Sequence, residues 1–252
     1  MLGSGSRQPR KSTVSRSERR AGARSERTEG RAPRGVFFTA MLTRHLMTAT
    51  LDILPGLFGT TPLVGMSLTT DVVSAVEEMD LTARIDATDL SPFRFQGWLG
   101  KRLTSSYGPG YDFDAGRIAV SAALPGWLQP VRERAARFAG LDPEDLSQTL
   151  LIRYDPGAGI GWHRDRPLYE HVVGISLGAP ATMRFRKRLA NGFDRVNVPL
   201  PPRSIYHLSG EARHLWEHSI AAMTEMRWSL TFRSLSASGR EALRRVSGIA
   251  SS

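Results

Sequence analysis

The second half of the chain alternates short apolar stretches with turn residues, and this pattern restricts the possible fold more than any other feature. After Leu146, stretches rich in Val, Ile, Leu and Phe recur at spacings of about 8–12 residues. The predicted strands are residues 149–154, 171–177, 182–187, 195–200, 204–208, 215–220 and 227–235. Such a series of short strands favours a sandwich or jelly roll over a parallel α/β sheet.

Two helices are predicted ahead of these strands. The first begins at a cap supplied by Thr70 or Asp71. Its apolar face consists of Val72, Val73, Val76 and Met79. The second begins at Pro130 and ends at Gly140. Its apolar face consists of Val131, Ala135 and Phe138. The predicted fold is therefore mainly β with flanking helices, an α+β jelly roll.

The basic residues are concentrated at the N-terminus. Residues 1–46 carry eleven Lys and Arg against three Glu, a net +8 of the chain's +10, so the remainder is nearly neutral. This segment lacks hydrophobic periodicity before Val36, and we expect a disordered tail. It fits a nucleic-acid-binding arm, a transit peptide or, the interpretation we favour, an over-extended reading frame that truly starts at Met41 or Met47. The expected folded domain spans residues 47–236, and a polar tail spans 237–252.

Composition excludes several classes of site. The chain has no cysteine, so disulfides, thiolate zinc sites, iron–sulfur clusters and cysteine nucleophiles are ruled out. Any metal must be held by His, Asp or Glu. No apolar run approaches the roughly 18 residues of a membrane span, and no secretory signal is visible. We therefore expect a cytoplasmic protein with no membrane partner; its oligomeric state is not predicted.

A histidine and a carboxylate stand one residue apart at the end of the segment LLIRYDPGAGIGWHRD. In extended backbone, His163 and Asp165 point to the same side, just after a glycine-rich turn. Two His and one carboxylate form the facial triad of non-haem iron sites, and His218 is the best candidate for the third ligand. The alternatives are a surface ion pair of Asp165 with Arg164 or Arg166, and a purely structural His218.

The segment RWSLTFR places two arginines on one face of a strand. That face consists of Arg227, Ser229, Thr231 and Arg233. Two guanidinium groups on one face repel each other unless an anion lies beside them, and guanidinium forks bind carboxylates in a bidentate manner. The face therefore suits a dicarboxylate cosubstrate. A solvent-exposed edge strand is the alternative.

Taken together, these segments resemble the AlkB family of Fe(II)- and 2-oxoglutarate-dependent dioxygenases. The matching runs are RYDPGAGIGWHRD, VVGISLG, RFR, EHSI and RWSLTFRSL, and YGPGYDF and GWLGKR look like the upstream region. The resemblance covers roughly residues 51–235. It implies a double-stranded β-helix in which iron is held by His163, Asp165 and His218. It also implies that 2-oxoglutarate is bound by Tyr154, Arg227, Ser229 and Arg233.

The implied chemistry is oxidative decarboxylation of 2-oxoglutarate to succinate, coupled to hydroxylation of a C–H bond with O2. If that carbon is an N-methyl group, the product releases formaldehyde, so the expected substrate is an alkylated nucleobase in DNA or RNA. Three positions depart from the nucleobase-repair pattern. Ile152 and Ser229 replace two Asn of the cosubstrate pocket, and Arg166 stands near where an acidic residue follows the HxD motif. A protein or small-molecule substrate, or a catalytically silent binding module, therefore remains an alternative.

Further positions have two interpretations each. The basic run Arg184–Arg188 alternates around Phe185, and it predicts either contact with phosphates or a solvated strand face. Four aromatic side chains are candidates either for a platform under a flipped base or for the core: Trp98, Tyr107, Tyr111 and Trp162. Three further histidines are taken as structural or surface residues: His171, His207 and His214.

Overall fold

The structure is a computed structural model that describes residues 63–95, 97–112 and 116–248, apart from the side chains of residues 95 and 98. The predicted N-terminal tail, residues 1–46, lies outside the described residues, as does the start of the predicted domain. Thirteen strands occur in the described residues. In chain order they are β1 (Met66–Thr69), β2 (Ser91–Phe95), β3 (Trp98–Tyr107), β4 (Pro109–Asp112), β5 (Arg117–Val120), β6 (Gln148–Tyr154), β7 (Ile160–His163), β8 (Tyr169–Gly178), β9 (Ala181–Leu189), β10 (Gly192–Leu200), β11 (Ser204–Leu208), β12 (Glu217–Ile220) and β13 (Arg227–Leu235).

Two antiparallel sheets form the body of the domain. The major sheet has the strand order β1-β11-β8-β13-β6-β3-β2, and the minor sheet has the order β10-β9-β12-β7. Strands β4 and β5 form a separate hairpin. The crossovers between non-consecutive neighbours are those of a jelly roll, so the predicted fold class is confirmed. Each predicted strand after Leu146 is present, with ends that shift by a few residues.

The helices are α1 (Ala75–Asp86), α2 (Gln129–Ala139), α3 (Gly210–His214) and α4 (Ala237–Ser247). Helix α2 follows its prediction: Pro130 lies in its first turn, and Gly140 ends it with φ of 68°. Side chains of α1 and α2 pack with one face of the major sheet, which we call its outer face. This cluster contains Ile85 and Val131 from the helices, and Leu151, Ile175 and Phe232 from the strands.

The inner face of the major sheet meets the minor sheet. A second buried cluster joins them, with Val172 and Tyr206 from the major sheet against Phe185 and Leu200 from the minor sheet. Facing sheets pack about 10 Å apart, so two layers of side chains fill the space between them. The inner faces of both sheets therefore enclose the interior of the β-helix.

The apolar face predicted for helix α1 is wrong. The helix begins later than predicted because Ser74 supplies the cap, its hydroxyl accepting a hydrogen bond from the Glu77 amide at 3.1 Å. The buried residues of the helix are Leu81 and Ile85, whereas Val76 and Met79 are 77% and 71% exposed. Val72 and Val73 precede the helix and so do not extend its apolar face, and packing against the sheet selects the Leu81–Ile85 side.

Two regions contain more regular structure than the sequence pattern predicts. Residues 91–120 form four strands although they are rich in Gly and aromatic residues. The predicted polar tail after Ser236 is polar, but it forms helix α4, in which the Ser236 hydroxyl accepts a hydrogen bond from the Gly239 amide. No helix in the described part of the chain combines the length and the apolar composition that crossing a bilayer requires.

Candidate metal centre and cosubstrate pocket

Neighbouring strands of the minor sheet bring His163, Asp165 and His218 together. His163 ends β7 and pairs in register with His218 on β12, and Asp165 follows two residues later. The two imidazole rings are 4.3 Å apart between centroids, and His218 Nε2 lies 3.6 Å from Asp165 Oδ2. One potential ligand atom from each residue lies within 4.8 Å of the others. This spacing fits three ligands converging on a single divalent ion.

Hydrogen bonding and burial hold the two histidines in the form that binds metal. His163 Nδ1 lies 2.9 Å from the Gly161 carbonyl oxygen, which only accepts, so Nδ1 carries the proton and Nε2 presents its lone pair. Burial lowers the pKa of His163. Burial, with the neighbouring imidazole, lowers the pKa of His218 to about 3. Both rings are therefore neutral at pH 7.

Asp165 is held as an anion by an arginine. Burial would raise the pKa of its carboxyl group, but the Arg233 guanidinium, together with the two imidazoles and Arg213, outweighs burial and holds that pKa well below its usual range. Arg233 Nε donates to Asp165 Oδ1 at 2.9 Å, and Arg233 Nη1 donates to Gln148 Oε1 at 2.9 Å. The contact with Arg233 leaves the second oxygen, Oδ2, on the side of His218.

Arg227 lies at the other end of strand β13 on the same face and is 1% exposed. Its Nε donates to the Ser176 hydroxyl at 3.2 Å, and its guanidinium carbon lies 5.0 Å from the centre of the Tyr154 ring. Both terminal nitrogens are buried and have no hydrogen-bond partner among the described residues. An uncompensated buried guanidinium is costly, and a carboxylate is the group that satisfies two parallel N–H donors.

The donor set therefore fits both groups that the resemblance implies. His163, Asp165 and His218 offer two neutral imidazoles and one carboxylate, the set typical of a non-haem iron site. The terminal nitrogens of Arg227 supply the fork that one carboxylate of 2-oxoglutarate needs. All of the site residues predicted from sequence lie on the inner faces of the two sheets or at the end of β7.

Two of the departures from the nucleobase-repair pattern, Ser229 and Ile152, are neighbours in the structure. Ser229 and Ile152 pair directly across the β13–β6 ladder, and both are buried on the inner face. A pair of amides in the repair pattern is thus replaced by a hydroxyl beside a butyl group. This exchange reduces the hydrogen-bonding capacity of the inner face next to Arg227.

Sequence reasoning missed three residues of the pocket: Gln148, Ser176 and Tyr206. Gln148 and Ser176 share their faces with Tyr154 and Gly178 by the two-residue alternation of a strand, which is a signal that the sequence contains. Tyr206 has no such signal, because its position depends on the strand partner. Its ring lies over Gly174, where any Cβ would overlap it, and burial raises the pKa of its hydroxyl to about 12.

Comparison with known proteins then identifies the family. Residues 77–238 match the family described as the 2OG-Fe(II) oxygenase superfamily. The chain belongs to this superfamily. The family is that of Fe(II)- and 2-oxoglutarate-dependent oxygenases, and the cluster of His163, Asp165 and His218 offers the donor set that its metal requires.

The curated relatives include several AlkB homologues. The chain is 33% identical over 161 residues to the tRNA (carboxymethyluridine(34)-5-O)-methyltransferase alkbh8 of Xenopus tropicalis, covering 62% of this chain and 25% of the relative. It is 29% identical over 184 residues to the Alkylated DNA repair protein ALKBH8 homolog of Arabidopsis thaliana, covering 62% and 50%. It is 30% identical over 153 residues to the Alpha-ketoglutarate-dependent dioxygenase AlkB of Escherichia coli, covering 54% and 66%.

The chain therefore spans a quarter to a half of the length of the first two relatives. Among solved structures, that of OsALKBH1 superposes with a TM-score of 0.54 at 15% identity, covering 69% of this chain and 99% of that one. This likeness concerns the fold, which is the jelly roll described above.

Proposed function

We propose that the protein removes alkyl groups from nucleobases in DNA or RNA by oxidation, with Fe(II) held by His163, Asp165 and His218. In this proposal 2-oxoglutarate is bound by Tyr154, Arg227, Ser229 and Arg233. The observation that carries the cosubstrate assignment is the buried Arg227 fork beside a cluster of three potential metal ligands. Within the part of the chain that the structure describes, its terminal nitrogens have no hydrogen-bond partner.

Each residue has a distinct task in this arrangement. The neutral imidazoles of His163 and His218 bind without first losing a proton. Arg233 orients Asp165 through Oδ1 and keeps the carboxylate ionised. Arg227 and Tyr154 form the end of the pocket that binds a carboxylate group of 2-oxoglutarate. Fe(II), when bound, supplies the chemistry that couples decarboxylation of 2-oxoglutarate to hydroxylation of a substrate C–H bond.

Support for a nucleic-acid substrate comes from the relatives. Their names refer to a tRNA uridine and to alkylated DNA. On such a base, hydroxylation of an N-methyl group releases the carbon from the nitrogen as formaldehyde. The Ser229–Ile152 pair and Arg166 favour a second candidate, the same oxygenase chemistry on a protein or small-molecule substrate. The cytoplasmic location stays a prediction.

The experiment is succinate and formaldehyde release from protein loaded with Fe(II) without oxygen and then exposed to air. The substrates are methylated single- and double-stranded DNA and RNA. We expect slow succinate release without substrate, and formaldehyde in step with succinate for at least one oligonucleotide. Succinate release with no formaldehyde from any oligonucleotide would transfer the assignment to the second candidate. No succinate release at all would contradict the oxygenase site.

A further inference from the structure

The outer face of the minor sheet carries a pocket of about 410 Å³ that is separate from the metal centre. We call it the outer basic pocket. Its polar and aromatic lining consists of Arg164, Arg186, Lys187, Arg188, Phe193 and Glu217. Four of these six residues are cations and one is an anion, so the pocket has a net positive charge although the folded part of the chain is nearly neutral. This local excess is what calls for a ligand.

The ion pairs in this region leave part of the charge uncompensated. Arg186 pairs with Glu217 at 2.6 Å, and Lys187 pairs with Glu211 at 2.5 Å. Arg188 and the neighbouring Arg195 are exposed and form no ion pair with any residue in the described ranges. Arg164 donates to the His214 carbonyl oxygen at 3.2 Å, a contact that does not neutralise its charge.

Three guanidinium groups of this region make cation–π contacts with one aromatic ring, that of Phe193. The guanidinium carbons of Arg186, Arg188 and Arg195 lie 4.7, 4.8 and 5.4 Å from the centre of the Phe193 ring. Arg186 also lies 4.5 Å from the ring centre of Trp162. Cation–π contacts position these groups while leaving their N–H donors available. Guanidinium groups beside aromatic faces are the combination that tracks a nucleic-acid strand through phosphates and stacked bases.

The register places this pocket directly behind the metal centre. Glu217 precedes His218 on β12, Arg164 lies between His163 and Asp165, and Arg186 pairs with Glu217 across the β9–β12 ladder. Because side chains alternate between the faces of a strand, the ligands point inward, whereas Arg186, Arg188 and Glu217 point outward. Lys187 alternates with them and pairs with Glu211 instead. Strand β7 is the edge of the minor sheet. A nucleic-acid strand that extends from the metal site therefore reaches the outer face by passing Trp162 and Arg164.

We propose that the outer basic pocket binds the phosphodiester backbone of the single-stranded nucleic acid whose modified base enters the metal site. This inference rests on the proposed function and adds a second contact surface to it. Phosphates contact Arg188, Arg195 and Arg164, and the guanidinium planes around Phe193 offer surfaces on which a base stacks. The pocket recognises the strand by charge and stacking, so it contributes affinity for longer strands and no preference for one base sequence.

The test compares Arg188→Ala/Arg195→Ala with wild type by fluorescence anisotropy at several salt concentrations. The probes are a methylated trinucleotide and a methylated single strand of about fifteen nucleotides, as DNA and as RNA. We expect the double variant to bind the longer strand about tenfold more weakly, with a salt slope smaller by about one. Binding of the trinucleotide and succinate release without substrate remain at the wild-type level, because neither involves the outer face.

The control is Arg137→Ala/Arg245→Ala, which removes the same charge from exposed positions on α2 and α4. Arg188→Lys/Arg195→Lys retains the charge and is expected to recover most of the affinity. The proposal for the outer basic pocket is wrong if wild type and the Ala variant bind the longer strand with equal affinity, or if the control loses as much affinity as the Ala variant. Neither result would contradict the proposed function. Failure of wild type to bind any oligonucleotide overturns the proposed function and the pocket with it.

Discussion

The two faces of the major sheet are formed by alternate residues of the same strands, yet they bury different chemistry. On β13, Leu230 and Phe232 point to the outer face and pack among the helices, with full burial and apolar neighbours. Arg227, Ser229 and Thr231 point inward and are almost as buried. Burial alone therefore does not distinguish core from site in this molecule; the distinction is whether the buried groups have partners.

The side chains on the outer face find all their packing partners within the protein, whereas polar groups on the inner face remain available to ligands. Apolar side chains need only close packing, which α1 and α2 provide. The two terminal nitrogens of Arg227 have no hydrogen-bond partner in residues 63–95, 97–112 and 116–248, and Asp165 with the two imidazoles forms a set of donor atoms directed at one point. We expect substitutions on the outer face to change stability and substitutions on the inner face to change binding and turnover.

The largest effect is expected for His163→Ala on the inner face. Loss of one imidazole opens the metal site, so succinate release should fall below about 1% of wild type while the thermal midpoint without metal changes little. Single-turnover succinate assays and thermal unfolding of the metal-free protein measure the two quantities. His214→Ala is the matched control, because that histidine is exposed and contacts Glu170. Equal succinate release by His163→Ala and wild type would remove His163 from the metal site.

On the outer face, Phe232→Ala should lower the free energy of unfolding by about 3–5 kcal/mol, because it leaves a cavity in the largest apolar cluster. Urea unfolding followed by circular dichroism measures it. The protein that remains folded should bind 2-oxoglutarate with unchanged affinity. Leu189→Ala, at a half-exposed position, serves as the control and should change stability by less than about 0.5 kcal/mol. A large loss of affinity in folded Phe232→Ala would show that the faces are coupled.

The comparison is sharpest at Arg227→Met, which replaces an unpartnered buried charge by an apolar chain of similar length. Affinity for 2-oxoglutarate should fall about a hundredfold, as two charge-assisted hydrogen bonds are lost. The free energy of unfolding without cosubstrate should stay the same or rise by about 1–3 kcal/mol. Calorimetric titration and urea unfolding test the two parts, with Arg227→Lys expected to be intermediate in affinity. Unchanged affinity in Arg227→Met would exclude Arg227 from the pocket.

The smallest effect concerns a polar pair on the outer face. His207 Nε2 lies 3.0 Å from His171 Nδ1, and burial, followed by the neighbouring His171, lowers the pKa of His207 to about 4. The unfolded chain therefore takes up a proton first as the pH falls. The free energy of unfolding should decrease between about pH 6.5 and pH 4, by roughly 1 kcal/mol after allowing for solvent screening, and should be level above that range.

Comparison of wild type with His207→Gln at pH 7 and pH 5 isolates this contribution. His163 and His218 also have lowered pKa values and act in the same direction, so only the difference between the two proteins is informative. A pH dependence that is identical in both proteins would show that His207 does not contribute.

Features that depend on residues close in sequence were predicted correctly, and features that depend on contacts between distant residues were not. The His163–Asp165 spacing and the alternation of β13 are local, and they sufficed to place residues on common faces. The face of α1 was predicted wrongly because Val76 and Met79 satisfy the helical spacing as well as Leu81 and Ile85 do. Only contact with the sheet decides between two such faces. Gln148 and Ser176 were missed because their partners, Arg233 and Arg227, lie on other strands.

By itself, the sequence determined the order of the strands along the chain, the ligand types available to a metal and the pairs of residues that share a strand face. These follow from backbone geometry and composition, which need no information about distant residues. The tertiary structure alone decided which face is enclosed and which strands are neighbours. It placed His218 beside His163, set Ser229 opposite Ile152, and gathered Arg186, Arg188 and Arg195 around Phe193. Period-two alternation assigns residues to two faces, but only the closure of the sheets determines which face lies inside.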